Sequence, residues 1–272
     1  MNTKLQIVVL GTKLIADYLK KNISVPCSVF FSKTQDHNYY KKVKNADVLV
    51  SMSWGKSMFG GKGNVKIPEV NKLKLLHMPG AGTDGVNFKM LPLNCLVCNV
   101  YEHEITIAEY CIASILNWEI NLLETVSNFK SLDWSDSLFS SGKPHSELNG
   151  KTIGIIGYGR IGKELAKRLK PFETKIYAFT RIRRKRDKYT NKCIVIQDLN
   201  SYLKELDYII LSCPLNESTK NLINKRSFKR MKKNAVIINI ARGDVINEEA
   251  FYYALKSKII GGGIIDTWYK YP

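Results

Sequence analysis

Residues 152–170 read TIGIIGYGRIGKELAKRLK, and this stretch predicts the fold of the chain around it. Its first five residues are apolar and β-favouring, as in a strand that is buried on both faces. Gly157, Gly159 and Gly162 follow in the order G-x-G-x-x-G, and apolar residues then recur at helical spacing until Pro171. A strand, a glycine-rich turn and a helix in this order predict an anion site at the helix N-terminus.

The three glycines have separate predicted tasks. The first permits a tight turn, the second lets a pyrophosphate approach the backbone, and the third lets the helix pack closely on the strand. The free amides near Arg160 and Ile161 would face the phosphates with the positive end of the helix dipole. The stretch therefore predicts dinucleotide binding by Gly157, Gly159, Arg160, Ile161 and Gly162. A glycine-rich turn that serves packing alone is the alternative.

The composition indicates an ordinary globular protein with excess positive charge. Of the 272 residues, 44% are hydrophobic and 24% are charged, and the net charge is +18. Because the basic residues are widely spread, a lysine-rich background explains this charge, and nucleic acid is not expected as a partner. No apolar run approaches transmembrane length, so no membrane partner is expected.

Six cysteines bear on the compartment and on metal binding. Most of them fall in apolar runs, which indicates reduced thiols and a cytoplasmic protein. Cys95 and Cys98 form C-x-x-C, but no second pair follows at zinc spacing. The sequence therefore predicts no metal site.

Strand-like and helical segments alternate along the chain. Strands are predicted at 4–10, 24–31, 46–52, 73–78, 94–99, 152–157, 174–179, 193–197, 207–212, 235–240 and 259–265, and the segments after residue 150 are expected to be joined by helices. This predicts an α/β fold of two doubly wound parallel-sheet domains, flavodoxin-like and then Rossmann. We expect a substrate-binding domain over residues 1–99 and a dinucleotide-binding domain over residues 100–272.

Two further segments carry predictions with open alternatives. Small residues at Gly80–Asp84 follow a predicted strand, where ligands bind in open α/β sheets, but an ordinary tight turn is equally compatible. Thr106 to Glu109 reads as a capping box that opens a long helix. The apolar side of that helix comprises Ile105, Ala108, Ile112, Ile115, Leu116, Leu122 and Leu123. With the Ser-rich residues 128–150 it forms an arm, 105–150, for which a dimer contact and burial on its own domain are the alternatives.

The end of the second Rossmann strand predicts which dinucleotide binds. An acidic residue about 20 positions after the glycines would bind the ribose hydroxyls of NAD. The chain instead reads TRIRR at 180–184, without a carboxylate. A hydroxyl and several guanidinium groups suit a 2′-phosphate. Thr180, Arg181 and Arg183 therefore predict NADPH over NADH, and a solvated basic loop is the alternative.

Four stretches together resemble the D-isomer-specific 2-hydroxyacid dehydrogenases, and the match covers nearly the whole chain. They are ELNGKTIGIIG at 147–157, CPLNEST at 213–219, MKKNAVIINIARG at 231–243 and GGIID at 262–266. The strand end at Thr180 resembles the NADP-using glyoxylate and hydroxypyruvate reductases of the family. The resemblance implies reversible reduction of a small anionic 2-keto acid to a D-2-hydroxy acid. A homodimer is expected from the helix after Thr106.

The resemblance also implies roles for single positions. Further cofactor contacts would be Cys213, Pro214 and Thr219 on the ribose side, and Ile240, Ala241 and Asp266 around the nicotinamide. Ala81 and Gly82 would present amides to the substrate carboxylate. Arg242 would clamp that carboxylate and polarise the keto oxygen, as the catalytic cation. His103 precedes the arm helix and has either a hydrogen-bonding role toward substrate or a structural role.

Two departures from the family pattern concern proton transfer. The family needs a histidine as general acid and a glutamate that tunes it, and Tyr271 fills the glutamate position. Tyrosine is neutral at pH 7 and cannot raise an imidazole pKa as a carboxylate would. The histidine, and the segment that completes the first domain, would follow Pro272. We therefore expect the 272-residue chain to bind cofactor but turn over slowly, and a non-catalytic dinucleotide-binding module or an inactive fragment is the alternative.

Overall fold

The computed structural model describes residues 4–33, 39–55, 68–135, 137, 142 and 144–270, with only the backbone at 39 and 40. Tyr271 and parts of the predicted arm lie outside these residues. The chain divides into two compact units, one of Met1–Glu102 with Lys270–Pro272 and one of His103–Tyr269. Among the described helices, none combines the length and the apolar character that crossing a bilayer requires.

The first unit is built on a five-stranded parallel sheet. Its elements are β1 (Leu5–Leu10), α1 (Lys13–Asn22), β2 (Cys27–Ser32), α2 (Tyr39–Lys44), β3 (Val48–Val50), β4 (Leu75–His77) and β5 (Leu96–Cys98). The strands lie in the order β2-β1-β3-β4-β5, and every pair is parallel. This is the flavodoxin-like order, so the predicted class of the first domain is confirmed.

The second unit is built on a six-stranded parallel sheet. Its elements are α3 (Glu104–Ile120), α4 (Leu122–Lys130), β6 (Thr152–Ile156), α5 (Arg160–Leu169), β7 (Lys175–Thr180), β8 (Lys192–Val195), α6 (Leu199–Tyr202), β9 (Tyr208–Leu211), α7 (Lys225–Phe228), β10 (Val236–Asn239), α8 (Glu248–Lys256) and β11 (Gly262–Ile265). The order β11-β10-β9-β6-β7-β8 is that of a Rossmann sheet, which confirms the predicted class. The chain reverses its direction of winding between β6 and β9.

Strand β6 lies at the centre of this unit, buried along its whole length. On one face Ile153 and Ile155 pack in a cluster with Leu165 of α5 and Ile115 of α3. On the other face Ile156 packs in a cluster that includes Leu206. Burial on both faces explains the continuous apolar run, and it fixes the position of the glycine-rich turn that follows.

The predicted capping box is wrong. Helix α3 begins at Glu104 with His103 at its N-cap, so Thr106 lies inside the first turn. The long helix is also interrupted, because Asn121 adopts a left-handed conformation with φ 57° and α4 starts at the next residue. Of the residues on the predicted apolar side, Ala108 and Ile115 are buried, whereas Leu122 and Leu123 belong to α4 and are exposed.

One expected helix is absent from the described residues. The prediction of helices between all strands of the second domain fails between β7 and β8, where residues 181–191 form an irregular connection. Five cations among residues 181–186 repel one another in any compact helix turn, and residues 181–188 are exposed. This connection lies at the end of β7, where the cofactor prediction placed its phosphate ligands.

Candidate functional site

The predicted dinucleotide-binding residues of the second unit lie at one edge of its sheet. Each follows the carboxyl end of a strand: Gly157 after β6, Thr180 at the end of β7, Cys213 after β9, Ile240 after β10 and Asp266 after β11. Because the strands are parallel, these ends meet at the same edge. Ligands of open α/β sheets bind outside this edge at the point where the winding reverses.

The geometry of the glycine-rich turn separates the roles of its glycines. Gly157 has φ +99°, and a Cβ there would lie 2.6 Å from the backbone nitrogen of Cys213. A Cβ on Gly162 would lie 2.6 Å from the carbonyl oxygen of Gly157, so the third glycine serves helix–strand packing. A Cβ on Gly159 would meet no atom within 4 Å. The space beside Gly159 therefore fits a ligand that approaches the backbone.

The start of α5 suits an anion. Gly159 is the N-cap and provides no side-chain hydrogen bond, and the first turn contains no acidic residue. The amides of Arg160 and Ile161 therefore lie at the positive end of the helix dipole without a carboxylate of that turn to neutralise it. The guanidinium of Arg160 lies 3.9 Å from the Glu104 carboxylate of α3.

Ser212, which is not among the predicted site residues, supports this turn. Its hydroxyl donates to the carbonyl oxygen of Gly157 at 2.9 Å, and its amide donates to Ile156 at 2.9 Å. A serine directly after a buried apolar strand was the signal that could have indicated it. The serine joins the glycine-rich turn to the end of β9.

The end of β7 presents cations but not the predicted hydroxyl. Thr180 is buried, and its hydroxyl donates to the carbonyl oxygen of Ile182 at 2.7 Å. Arg181 and Arg183 are exposed, and neither takes part in an ion pair within the described part of the chain. The structure thus places guanidinium groups near the strand end, and Thr180 shapes the backbone that carries them.

The segment after β9 forms a closed loop. Thr219 is buried and donates through its hydroxyl to the carbonyl oxygen of Pro214 at 2.6 Å, while it accepts from the amide of Asn216 at 2.8 Å. Cys213 is also buried, and burial raises the pKa of its thiol to about 11. The thiol is therefore neutral at physiological pH.

Arg242 follows β10, and its backbone is held by a residue that is not among the predicted site residues. The side chain of Asn239 accepts from the amide of Ala241 at 3.0 Å and donates to the carbonyl oxygen of Arg242 at 2.9 Å. Asn239 is only 1% exposed. A buried asparagine at the end of an apolar strand was the missed signal, because such a side chain needs hydrogen-bond partners.

The residue after Arg242 is in close backbone contact with the chain that follows β11. A Cβ on Gly243 would lie 2.7 Å from the carbonyl carbon of Trp268, so the chain after β11 runs directly against this turn. One N–H of the Arg242 guanidinium donates to the carbonyl oxygen of Ala241 at 2.7 Å. Ile240 and Ala241 are both buried.

Asp266 lies after β11, where its amide donates to Asn239 at 3.0 Å. Its carboxylate is exposed and lies near α3. Burial first, and then the negative charge of Asp266, raise the pKa of the Cys111 thiol to about 12. The carboxylate is thus available at the same sheet edge as Ile240.

In the first unit, the predicted substrate-side turn follows β4. The side chain of Asn99 donates to the carbonyl oxygen of Ala81 at 2.9 Å and holds this turn. Within the described part of the chain, the backbone amides of Ala81 and Gly82 donate to no backbone carbonyl oxygen. His103, at the start of the second unit, is half-buried at the N-cap of α3, and its side chain makes no cap hydrogen bond.

Comparisons with known proteins identify the family. The family model described as D-isomer specific 2-hydroxyacid dehydrogenase, NAD binding domain, matches residues 112–272. The chain is 32% identical to D-3-phosphoglycerate dehydrogenase of Methanocaldococcus jannaschii, over 85% of this chain and 43% of that protein. It is 33% identical to hydroxypyruvate reductase of Thermotoga maritima, over 82% of this chain and 70% of that protein.

A solved structure supports the fold. D-lactate dehydrogenase from Aquifex aeolicus, complexed with NAD and lactic acid, superposes with a TM-score of 0.77 at 24% identity. The match covers 96% of this chain and 77% of that chain. The first curated relatives are longer than this protein, which spans 43%, 64% and 57% of their lengths.

Proposed function

Because the chain belongs to the D-isomer-specific 2-hydroxyacid dehydrogenase family, we propose that it reversibly reduces a small 2-keto acid to a D-2-hydroxy acid with NADPH. The observation that carries this proposal is the placement of Arg242 at the same sheet edge as the glycine-rich turn. When bound there, a reduced nicotinamide supplies the hydride.

The chain's own residues have the following proposed tasks. The amides at the start of α5 bind the pyrophosphate, and Asp266 binds the carboxamide of the nicotinamide. Arg242 carries a permanent charge, because an arginine guanidinium is not deprotonated in proteins. Asn239 holds the backbone of Arg242, and the guanidinium of Arg242 stabilises the negative charge that develops on the keto oxygen. In the first unit, the amides of Ala81 and Gly82 bind the substrate carboxylate.

The role of Arg242 is tested by separating binding from chemistry. Arg242→Ala should leave the Kd for NADPH within about twofold and lower the rate of glyoxylate or hydroxypyruvate reduction by about 100-fold or more. Arg226→Ala, at an exposed position of α7, is the matched control and should change neither. Equal rates in the Arg242→Ala variant and the parent would overturn the assignment. NADPH binding by the parent without reduction of any keto acid would instead favour the non-catalytic alternative.

The preference for NADPH rests on the exposed cations after β7. Arg181→Ala should weaken NADPH binding by about tenfold, as expected for loss of a charge-assisted phosphate contact, and leave NADH binding within about twofold. Lys188→Ala removes an equal charge from the same connection and should have a smaller effect. The preference is wrong if the two cofactors bind equally and Arg181→Ala changes neither affinity.

We also propose a homodimer through α3 and α4. These helices expose many large apolar side chains: Ile105, Tyr110, Trp118, Ile120, Leu122, Leu123, Val126 and Phe129. An exposed apolar patch of this kind is typical of a protein contact. Light scattering should give a dimer for the parent and a monomer for Leu123→Asp, whereas Tyr252→Asp, at an exposed position of α8, should remain dimeric. A monomeric parent would contradict this proposal.

A further inference from the structure

The carboxylate of Asp187 follows the cationic residues in the connection between β7 and β8. Residues 181–186 read RIRRKR, and Asp187 follows them. One oxygen of the Asp187 carboxylate accepts from the amide of Tyr189 at 3.0 Å and from the hydroxyl of Thr190 at 3.2 Å. The other oxygen accepts from the hydroxyl of Tyr158 at 2.8 Å. Asp187 therefore stabilises a local turn with Tyr189 and Thr190 and also makes a long-range hydrogen bond with Tyr158.

Tyr158 belongs to the glycine-rich turn itself, between Gly157 and Gly159. Its ring packs in the cluster that contains Leu165 and Ile176, and the residue is only 8% exposed. Burial, and then the hydrogen bond to Asp187, raise the pKa of Tyr158, so its hydroxyl stays a neutral donor. The hydrogen bond thus joins the turn beside α5 to the cationic connection after β7.

The cationic segment is held at both of its ends. At its start the buried hydroxyl of Thr180 donates to the carbonyl oxygen of Ile182. At its end Asp187 is bound to Tyr158, and the connection re-enters the sheet where Asn191 exchanges hydrogen bonds with Ile176 at 2.8 Å. The exposed cations lie between two fixed points.

We propose that Tyr158 and Asp187 are positioning residues that determine cofactor specificity. Their hydrogen bond holds the segment 181–186 at a fixed distance from the glycine-rich turn. A dinucleotide with a 2′-phosphate has two anionic groups at a fixed separation, and a prearranged pair of binding segments binds it with less loss of conformational entropy. This inference rests on the proposed preference for NADPH.

An electrostatic role and a positioning role of Asp187 predict opposite changes in NADPH affinity when its carboxylate is removed. If the carboxylate only reduced the positive potential of the connection, its removal would tighten binding of the doubly anionic 2′-phosphate. If it positions the cations, its removal weakens that binding although the site gains net positive charge. The sign of the change in NADPH affinity therefore distinguishes the two explanations.

The test measures Kd for NADPH and NADH by calorimetry. Loss of one hydrogen bond predicts that Tyr158→Phe and Asp187→Ala weaken NADPH binding by about two- to tenfold, with NADH within about twofold. Asp187→Asn keeps one acceptor oxygen for the contacts with Tyr189 and Thr190, and its NH2 group can donate to the hydroxyl oxygen of Tyr158, so it should retain most of the NADPH affinity. Tyr177→Phe is the matched control, because Tyr177 is equally buried and donates to Glu205 at 2.9 Å.

Each outcome has a defined meaning. Unchanged or tighter NADPH binding in Asp187→Ala overturns the inference, and so does equal weakening of both cofactors in Tyr158→Phe. If Arg181→Ala lowers the NADPH affinity and the Tyr158 and Asp187 variants do not, the inference is wrong and the NADPH preference stands. If the parent binds the two cofactors equally and none of the variants changes that ratio, the preference itself is wrong. Thermal unfolding of every variant identifies any that fails to fold, and if Asp187→Ala does so, Tyr158→Phe carries the test, because it removes only the hydroxyl that donates to Asp187.

Discussion

The hydroxyl of Ser212 donates to the carbonyl oxygen of Gly157 across a distance of 2.9 Å. These residues are far apart in the sequence and follow β9 and β6, the two neighbouring strands between which the winding reverses. The glycine-rich turn is therefore held by the strand on its other side as well as by its own conformation.

Replacing Ser212 should loosen this turn. Ser212→Ala should lower the free energy of unfolding by about 1 kcal/mol, the usual net value of one hydrogen bond, and weaken NADPH binding. Chemical denaturation and calorimetry measure the two effects. Ser131→Ala is the control, because the exposed hydroxyl of Ser131, at the end of α4, donates to the carbonyl oxygen of Ser127 in the same helix. Wild-type affinity in Ser212→Ala would show that the hydroxyl does not shape the site.

Two glycine substitutions should separate folding from binding. Gly157→Ala places a Cβ against the backbone of Cys213 at a positive φ, so it should destabilise the fold by on the order of 1–3 kcal/mol. Gly159→Ala meets no neighbour and should keep the melting temperature, yet lower the NADPH affinity by about tenfold or more, because the Cβ lies where the cofactor approaches. Unchanged binding by Gly159→Ala would refute the role of the second glycine.

Asn239 should matter for stability more than any exposed asparagine. Asn239→Ala leaves the amide of Ala241 buried without its acceptor, which costs about 1–3 kcal/mol. It should also slow keto-acid reduction, because the backbone of Arg242 loses a hydrogen bond. Asn149→Ala, at an exposed contact with Glu173, should change the free energy of unfolding by about 0.5 kcal/mol or less. Equal effects of the two substitutions would contradict this account.

The buried thiol of Cys213 should make stability depend on alkaline pH. Its pKa is raised from 9.0 to about 11 by burial, so the folded state retains a proton that the unfolded state loses. The protonated thiol contributes in full to the free energy of unfolding below about pH 9. As the pH rises to about 11, this contribution of about 2–3 kcal/mol is lost. The difference in unfolding free energy between the parent and Cys213→Ala should shrink across this window. A constant difference would show that the thiol titrates alike in both states.

Local patterns predicted most of the fold. The apolar runs that became β6, β9 and β10 are buried on both faces, and such strands are recognised without knowledge of their neighbours. The capping box at Thr106 failed because the same four residue types are compatible with the interior of a helix, and the true start at Glu104 carries no side-chain cap. The break at Asn121 has no strong local signal either.

Residue type and spacing were sufficient to predict two parallel α/β sheets, the glycine-rich turn and the cations that follow β7. These features depend on periodicity and on residues adjacent in the chain, which a sequence displays directly. The contacts of Ser212 with Gly157 and of Tyr158 with Asp187 came only from the folded chain. Each joins residues that follow different strands, and which strand ends become neighbours depends on the order of strands in the sheet. That order results from packing of the whole domain, so no single stretch of sequence contains it.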